Sequence, residues 1–211
     1  MKKSDFILPI FTPKTEANQY LRLLKSVKKR YNKIIVSNIN KNKKVLFLVA
    51  PLAFRDEEYF QPRVILLSKG IQTFTSADTK EEEASGVLGG KARIDLPLKD
   101  IKSRDYDALV LCGGKGAKSY FHDKKVHELT IEFFHQNKVL AAICIAPSIL
   151  ANAGILKGKK ACSFPTEREN LVKQGAVYSK QPVVRDGQII TARGPEAAAQ
   201  FGEEIVNALQ V

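Results

Sequence analysis

The 211-residue chain has no tryptophan, one methionine, three cysteines and three histidines. Each shortage removes a class of explanation. Cys112, Cys144 and Cys162 stand singly, without the pairing of a metal-binding motif or the density of a disulfide framework, so a reducing cytoplasm is expected, with no metal and no cofactor. No apolar run reaches the ~18 residues that a membrane span requires, and no secretory signal is recognisable, so a soluble protein is expected.

What is present is the composition of a globular protein, 44% hydrophobic and 27% charged, enough for one sizeable core. The net charge of +12 resembles a nucleic-acid signal until it is located. Residues 1–44 hold 12 Lys and Arg against Asp5 and Glu16, which leaves 22 basic and 20 acidic residues and a nearly neutral remainder. The basicity therefore belongs to an N-terminal extension, residues 1–42, and a single domain is expected over 43–211. In the extension Tyr20, Leu24, Val27, Tyr31 and Ile34 recur at three- and four-residue steps, which predicts a helix with one apolar stripe. Lys25, Lys28, Lys29 and Arg30 line its other face, and Asn38 to Lys44 reads as a linker. The stripe packs on the domain or on a partner subunit, or the basic face meets nucleic acid or another anionic surface; the residues leave both open.

From Lys43 onward, strand and helix patterns alternate. Buried strands are expected at Val45–Val49, Ile71–Ala77, Ala108–Leu111 and Val139–Ile143, with helices at Glu58–Lys69, Val126–Gln136, Pro147–Ala153 and Glu196–Leu209. A hairpin is expected over Ser85–Ile94 and another over Val183–Ala192, turning at Asp186-Gly187. The alternation predicts an α/β fold, a mostly parallel sheet covered by helices on both faces, with its sites at the carboxyl ends of the strands.

The stretch Val139 to Ser148 carries the chemistry. An apolar strand runs into Cys144, a helix starts at once with Pro147 in its first turn, and the small residues Ala142 and Ala146 flank the cysteine at two positions on either side. That spacing belongs to nucleophile elbows, where a strained turn lifts the nucleophile above the sheet. A thiol at the amino end of a helix is expected to ionise easily, although a buried strand-end cysteine serving as a small hydrophobe has the same sequence. Gly113-Gly114 ends a neighbouring strand, and the N–H groups of Gly114 and Ile145 are placed to form an oxyanion hole. Asp56-Glu57-Glu58 reads either as a helix-start charge cluster or as the source of one carboxyl at the elbow.

Taken together, Val-Leu-Phe-Leu-Val-Ala, the acidic cluster, Leu-Cys-Gly-Gly, Ala-Ala-Ile-Cys-Ile-Ala-Pro and Ile-Thr-Ala-Arg-Gly-Pro resemble, in that order, the PfpI/ThiJ superfamily of deglycases, intracellular peptidases, glyoxalases and chaperones. The resemblance runs from about Lys43 to Val211 and implies a flavodoxin-like three-layer sandwich, with the N-terminal helical extension outside it. It further implies Cys144 as nucleophile, Glu58 as the carboxylic acid beside it, Gly114 and Ile145 as backbone donors, Gly113 and Arg193 near the site or an interface, and a homodimer. The chain departs from the pattern in one respect. Peptidase-like members carry a histidine where this chain has Ile145, and deglycase-like members carry one where it has Phe164. His122, His127 and His135 all fall in or beside one helical region and read as surface residues.

Amide hydrolysis needs a group to protonate the leaving amine, so a protease is not expected. Addition of the thiol to a small reactive carbonyl such as methylglyoxal has no leaving group, so glyoxalase or deglycase chemistry stays open. The alternative is a non-enzymatic redox sensor or stress-response protein, acting through oxidation of Cys144.

Overall fold

In the computed structural model, which describes residues 43–209, the first strand is β1 (Lys44–Leu48). After it come β2 (Leu52–Phe54), α1 (Asp56–Ser68) and β3 (Gln72–Ala77). β4 (Glu83–Gly86) and β5 (Lys91–Arg93) form an antiparallel hairpin that pairs with β2 in a separate small sheet. β6 (Leu96–Pro97), β7 (Ala108–Leu111), α2 (Lys124–His135), β8 (Val139–Ile143) and α3 (Pro147–Asn152) follow. The last part comprises β9 (Lys160–Ala161), α4 (Arg168–Lys173), β10 (Val177–Tyr178), β11 (Val183–Asp186), β12 (Ile189–Ala192) and α5 (Ala198–Leu209).

The main sheet has the order β11-β12-β8-β7-β1-β3-β6, with every neighbouring pair parallel except β11 and β12. Strand periodicity divides its side chains between two faces. Val45, Phe47, Val110, Ala141 and Ile143 join one buried cluster with Tyr59 and Leu66 of α1 and Phe201 and Ile205 of α5. Leu46, Leu48, Leu109, Leu111 and Leu140 join the other with Val126 and Phe133 of α2 and Ile149 and Leu150 of α3. The strands read as continuous apolar runs because helices cover both faces. α5 approaches α1 closely at Gly202, where a β-carbon would come within 2.8 Å of the Pro62 α-carbon.

The fold is the expected α/β sandwich. The helix expected in residues 1–42 lies outside the described residues. β2 is a strand that the sequence did not suggest: it has three residues and its middle one, Ala53, takes φ 58°, so no alternation marks it. The second hairpin turns one residue later than expected, at Gly187-Gln188, because Asp186 still pairs with Ile189 and Gly187 supplies the positive φ of 63°. The helix expected from Glu196 begins at Ala198, after a 3-10 turn at Pro195–Ala197.

Candidate active site

β8 ends in a buried apolar run, and the next residue, Cys144, adopts φ 65°, in the left-handed region that non-glycine residues rarely enter. Such a conformation costs about 1–3 kcal/mol and persists only where the surroundings fix it. Two main-chain bonds do so here. Cys144 N–H donates to the Ala192 carbonyl at the end of β12 (2.9 Å), and the Cys144 carbonyl accepts from Phe164 N–H (2.7 Å). Ala142 and Ala146, on either side of it, are fully buried.

Opposite the elbow, α1 starts with three consecutive acids whose directions differ by about 100° per residue. Asp56 turns to the small sheet, where its Oδ1 accepts from Gly90 N–H (2.7 Å) and its Oδ2 from Leu88 N–H (2.8 Å). Glu57 pairs with Arg55 through both carboxylate oxygens, at 2.9 and 2.8 Å. Glu58 alone enters the site, with no exposed surface, and its Oε2 accepts from Gly113 N–H at 3.1 Å. Its Oε1 is buried without a partner of strict hydrogen-bond geometry, and the carboxyl makes a looser contact with the Cys144 thiol.

The Glu58 main chain is held as unusually as its side chain. Pro62 lies four residues on within α1 and has no N–H, so the Glu58 carbonyl loses its helical donor. The Cys112 thiol occupies that place, donating to the Glu58 carbonyl at 3.8 Å. Cys112 is fully buried and its thiol is pushed up by burial, then by the Glu58 charge. This cysteine therefore supports the acid from below.

Burial raises the Glu58 carboxyl to about 8, against smaller opposing effects from the Cys144 thiol, the Arg55 charge and the Gly113 N–H. Burial likewise pushes the Cys144 thiol up, and the neighbouring Glu58 adds to this, while the N–H groups of Gly114 and Ile145 pull it down. Both shifts run the same way, toward the uncharged carboxylic acid and the uncharged thiol. This corrects the expected easily ionised thiolate. α3 has only six residues, and with the cysteine 8% exposed the desolvation of a charged sulfur outweighs the helix end and the two N–H donors.

Comparison with known proteins adds a family to this geometry. The DJ-1/PfpI family model matches residues 43–208. The chain belongs to the DJ-1/PfpI family. An uncharacterised protein of Methanocaldococcus jannaschii is 44% identical over 173 residues, which cover 81% of this chain and 84% of that one. Deglycase PfpI of Pyrococcus furiosus is 31% identical, over 79% of this chain and 99% of the relative. Among solved structures, a ThiJ/PfpI domain protein of Brachyspira murdochii superposes with a TM-score of 0.78 at 30% identity, covering 80% of this chain and 97% of the other. DJ-1beta of Drosophila melanogaster gives 0.74 at 29% identity, covering 80% and 91%. The family match and these structures carry the flavodoxin-like description of the fold.

In this DJ-1/PfpI chain Cys144, Glu58, Gly113, Gly114 and Ile145 converge at the carboxyl ends of β7 and β8. Arg193 stands farther along the same rim: its guanidinium reaches the Lys180 carbonyl at 3.5 Å, and its charge acts on the Cys162 thiol. Cys162 is buried, its thiol pointing at the Thr191 carbonyl (3.2 Å). The three histidines stand on α2 or just before it. His122 and His135 are exposed, and His127 bonds the Phe121 carbonyl at 2.9 Å. A cavity of about 320 Å³, lined in part by Leu52, Asp78, Tyr120 and Asp123, includes neither Cys144 nor Glu58. Sequence reasoning did not single out Asp56, Cys112 or the Ser148–Glu167 pair (2.7 Å), because their partners are distant in the chain. Among the described residues no helix is long and apolar enough to cross a membrane, and no group of three or more His, Cys, Asp or Glu side chains is placed to hold a metal.

Proposed function

We propose that the chain acts on small reactive carbonyl compounds, 2-oxoaldehydes such as methylglyoxal, in glyoxalase or deglycase chemistry with Cys144 as nucleophile. The observation that carries this reading is the neutral acid beside the thiol: Glu58, raised to about 8 by burial, meets Cys144 at a strained turn. The sulfur attacks the aldehyde carbon, a C–S bond forms, and the carbonyl π pair moves to oxygen. That oxygen receives a proton from the Glu58 carboxyl, which takes up the thiol proton in exchange. Every atom is retained in the resulting hemithioacetal, and no unpartnered charge is left in the buried site. The Gly114 and Ile145 N–H groups favour negative charge where it develops.

The deglycase names of relatives in Pyrococcus furiosus and Pyrococcus horikoshii, 31% and 30% identical, support carbonyl chemistry. Peptidase chemistry is the less supported reading because no histidine accompanies the thiol: the three in the chain stand on α2 or beside it. The sensor reading requires a thiolate to meet peroxide, and burial works against that form. The test is methylglyoxal consumption by the full chain. Wild type consumes it, Cys144→Ser does not, and Glu58→Gln falls by a factor on the order of 10²–10⁴. Consumption unchanged by Cys144→Ser would sink the proposal.

A further inference from the structure

We infer that Phe164 is a specificity residue of the Cys144 site, its ring forming an apolar wall for an aryl or branched alkyl group carried next to the reacting carbon. The inference rests on Cys144 being the reactive group. Among the described residues Phe164 is the one aromatic side chain among the large exposed hydrophobics, at 38%. A single exposed apolar residue is ordinary; its placement here is not. Phe164 N–H donates to the Cys144 carbonyl at 2.7 Å, so the ring leaves the main chain directly beside the elbow. Its Cδ2 lies 3.5 Å from where a β-carbon on Gly194 would sit, and Gly194 follows the β12 end whose Ala192 carbonyl accepts the Cys144 N–H. The ring therefore extends from one of the two backbone segments that hold the strained cysteine toward the loop that follows the other.

The loop that carries it is fixed rather than free. Glu167, only 9% exposed, accepts from the buried Ser148 hydroxyl of α3 at 2.7 Å and from Thr166 at 2.9 Å. Tyr178 O–H donates to the Ser163 carbonyl at 3.2 Å on the other side of Phe164. These bonds tie both flanks of one exposed aromatic to the helix behind the nucleophile and to β10. A held apolar face next to a few convergent polar groups is how small-molecule sites distinguish ligands of equal reactivity.

The test compares alkylation of Cys144 in the full chain by iodoacetamide and by N-phenyliodoacetamide. In each reaction a C–S bond forms, the C–I bond breaks, iodide departs and the thiol proton passes to solvent. Peptide mass spectrometry separates Cys144 from Cys112 and Cys162, and each rate is divided by that of free cysteine with the same reagent. The phenyl reagent gains about tenfold or more in wild type from covering the ring. Phe164→Ala removes that gain while the corrected iodoacetamide rate stays within about threefold, and Phe164→Leu keeps part of it. Labelling of Cys144 with the same reagent preference in wild type, Phe164→Ala and Phe164→Leu overturns the role of Phe164 and leaves the reactive cysteine standing. Absence of Cys144 labelling by either reagent in wild type overturns the role of Phe164, and the reactive cysteine falls with it when methylglyoxal consumption also survives Cys144→Ser.

Discussion

Glu58 and Cys144 meet across Gly113. A β-carbon at that glycine would come within 2.5 Å of Glu58 Oε2, 2.7 Å of Cys144 Cβ and 2.9 Å of the Ile143 carbonyl, while the glycine N–H holds the carboxyl at 3.1 Å. One residue with no side chain thus sets the spacing of acid and thiol. Gly113→Ala is expected to destabilise the fold by about 1–3 kcal/mol, measured as a shift in the urea midpoint. It is also expected to reduce methylglyoxal consumption about 10²-fold, the usual scale when reacting groups are displaced by about an ångström. Full activity in a folded Gly113→Ala variant would contradict the spacing argument.

The raised Glu58 carboxyl also makes stability depend on pH in a stated direction. In the unfolded chain it ionises near 4.5, in the fold at about 8. Between those values the folded state keeps a proton that the unfolded state has released, so raising the pH through that window favours unfolding, by up to about 1.4 kcal/mol per unit. Below the window both states hold the proton, and above it both have lost it, so the slope vanishes on either side. Glu58→Gln removes the effect. Urea midpoints across this range should fall more steeply in wild type than in the variant, and parallel curves would count against a neutral acid.

Asp56 supplies an independent structural test. Its two oxygens accept from the Leu88 and Gly90 N–H groups and join the β4–β5 hairpin to the start of α1. Asp56→Ala leaves both donors without a partner and is expected to destabilise by about 2–4 kcal/mol, since hydrogen bonds to a charged group are the stronger kind. Hydrogen exchange should accelerate at those two amides before it does in β7 or β8. Unchanged protection there would refute the assigned role.

The strands nearest the site were legible because their signal is local. Val139–Ile143 and Ala108–Leu111 are short apolar runs closed by Cys144 and by Cys112-Gly113-Gly114, and both boundaries match the observed strands. β2 was not, because a three-residue strand bent at Ala53 takes its definition from pairing with β4, far along the chain. The acidic cluster was visible as a cluster, but only the fold separates its members into a hairpin anchor, an ion pair and a buried acid. Cys144 was recognisable from its small neighbours and the following Pro147. Its protonation was misjudged, because sequence displays the helix that follows and not the burial that opposes it. Phe164 was noticed only as a missing histidine. Its clamped position depends on Ser148, Glu167 and Tyr178, which no spacing rule brings together.

The central claim is that Glu58 is a neutral acid beside the Cys144 thiol at physiological pH. Difference infrared titration of the wild type against Glu58→Gln reads that carboxyl directly through its protonated C=O stretch. The band should be present at neutral pH and disappear with a midpoint near 8. A midpoint in the ordinary carboxylate range, with no band left at neutral pH, would contradict the proton exchange on which the proposed chemistry depends.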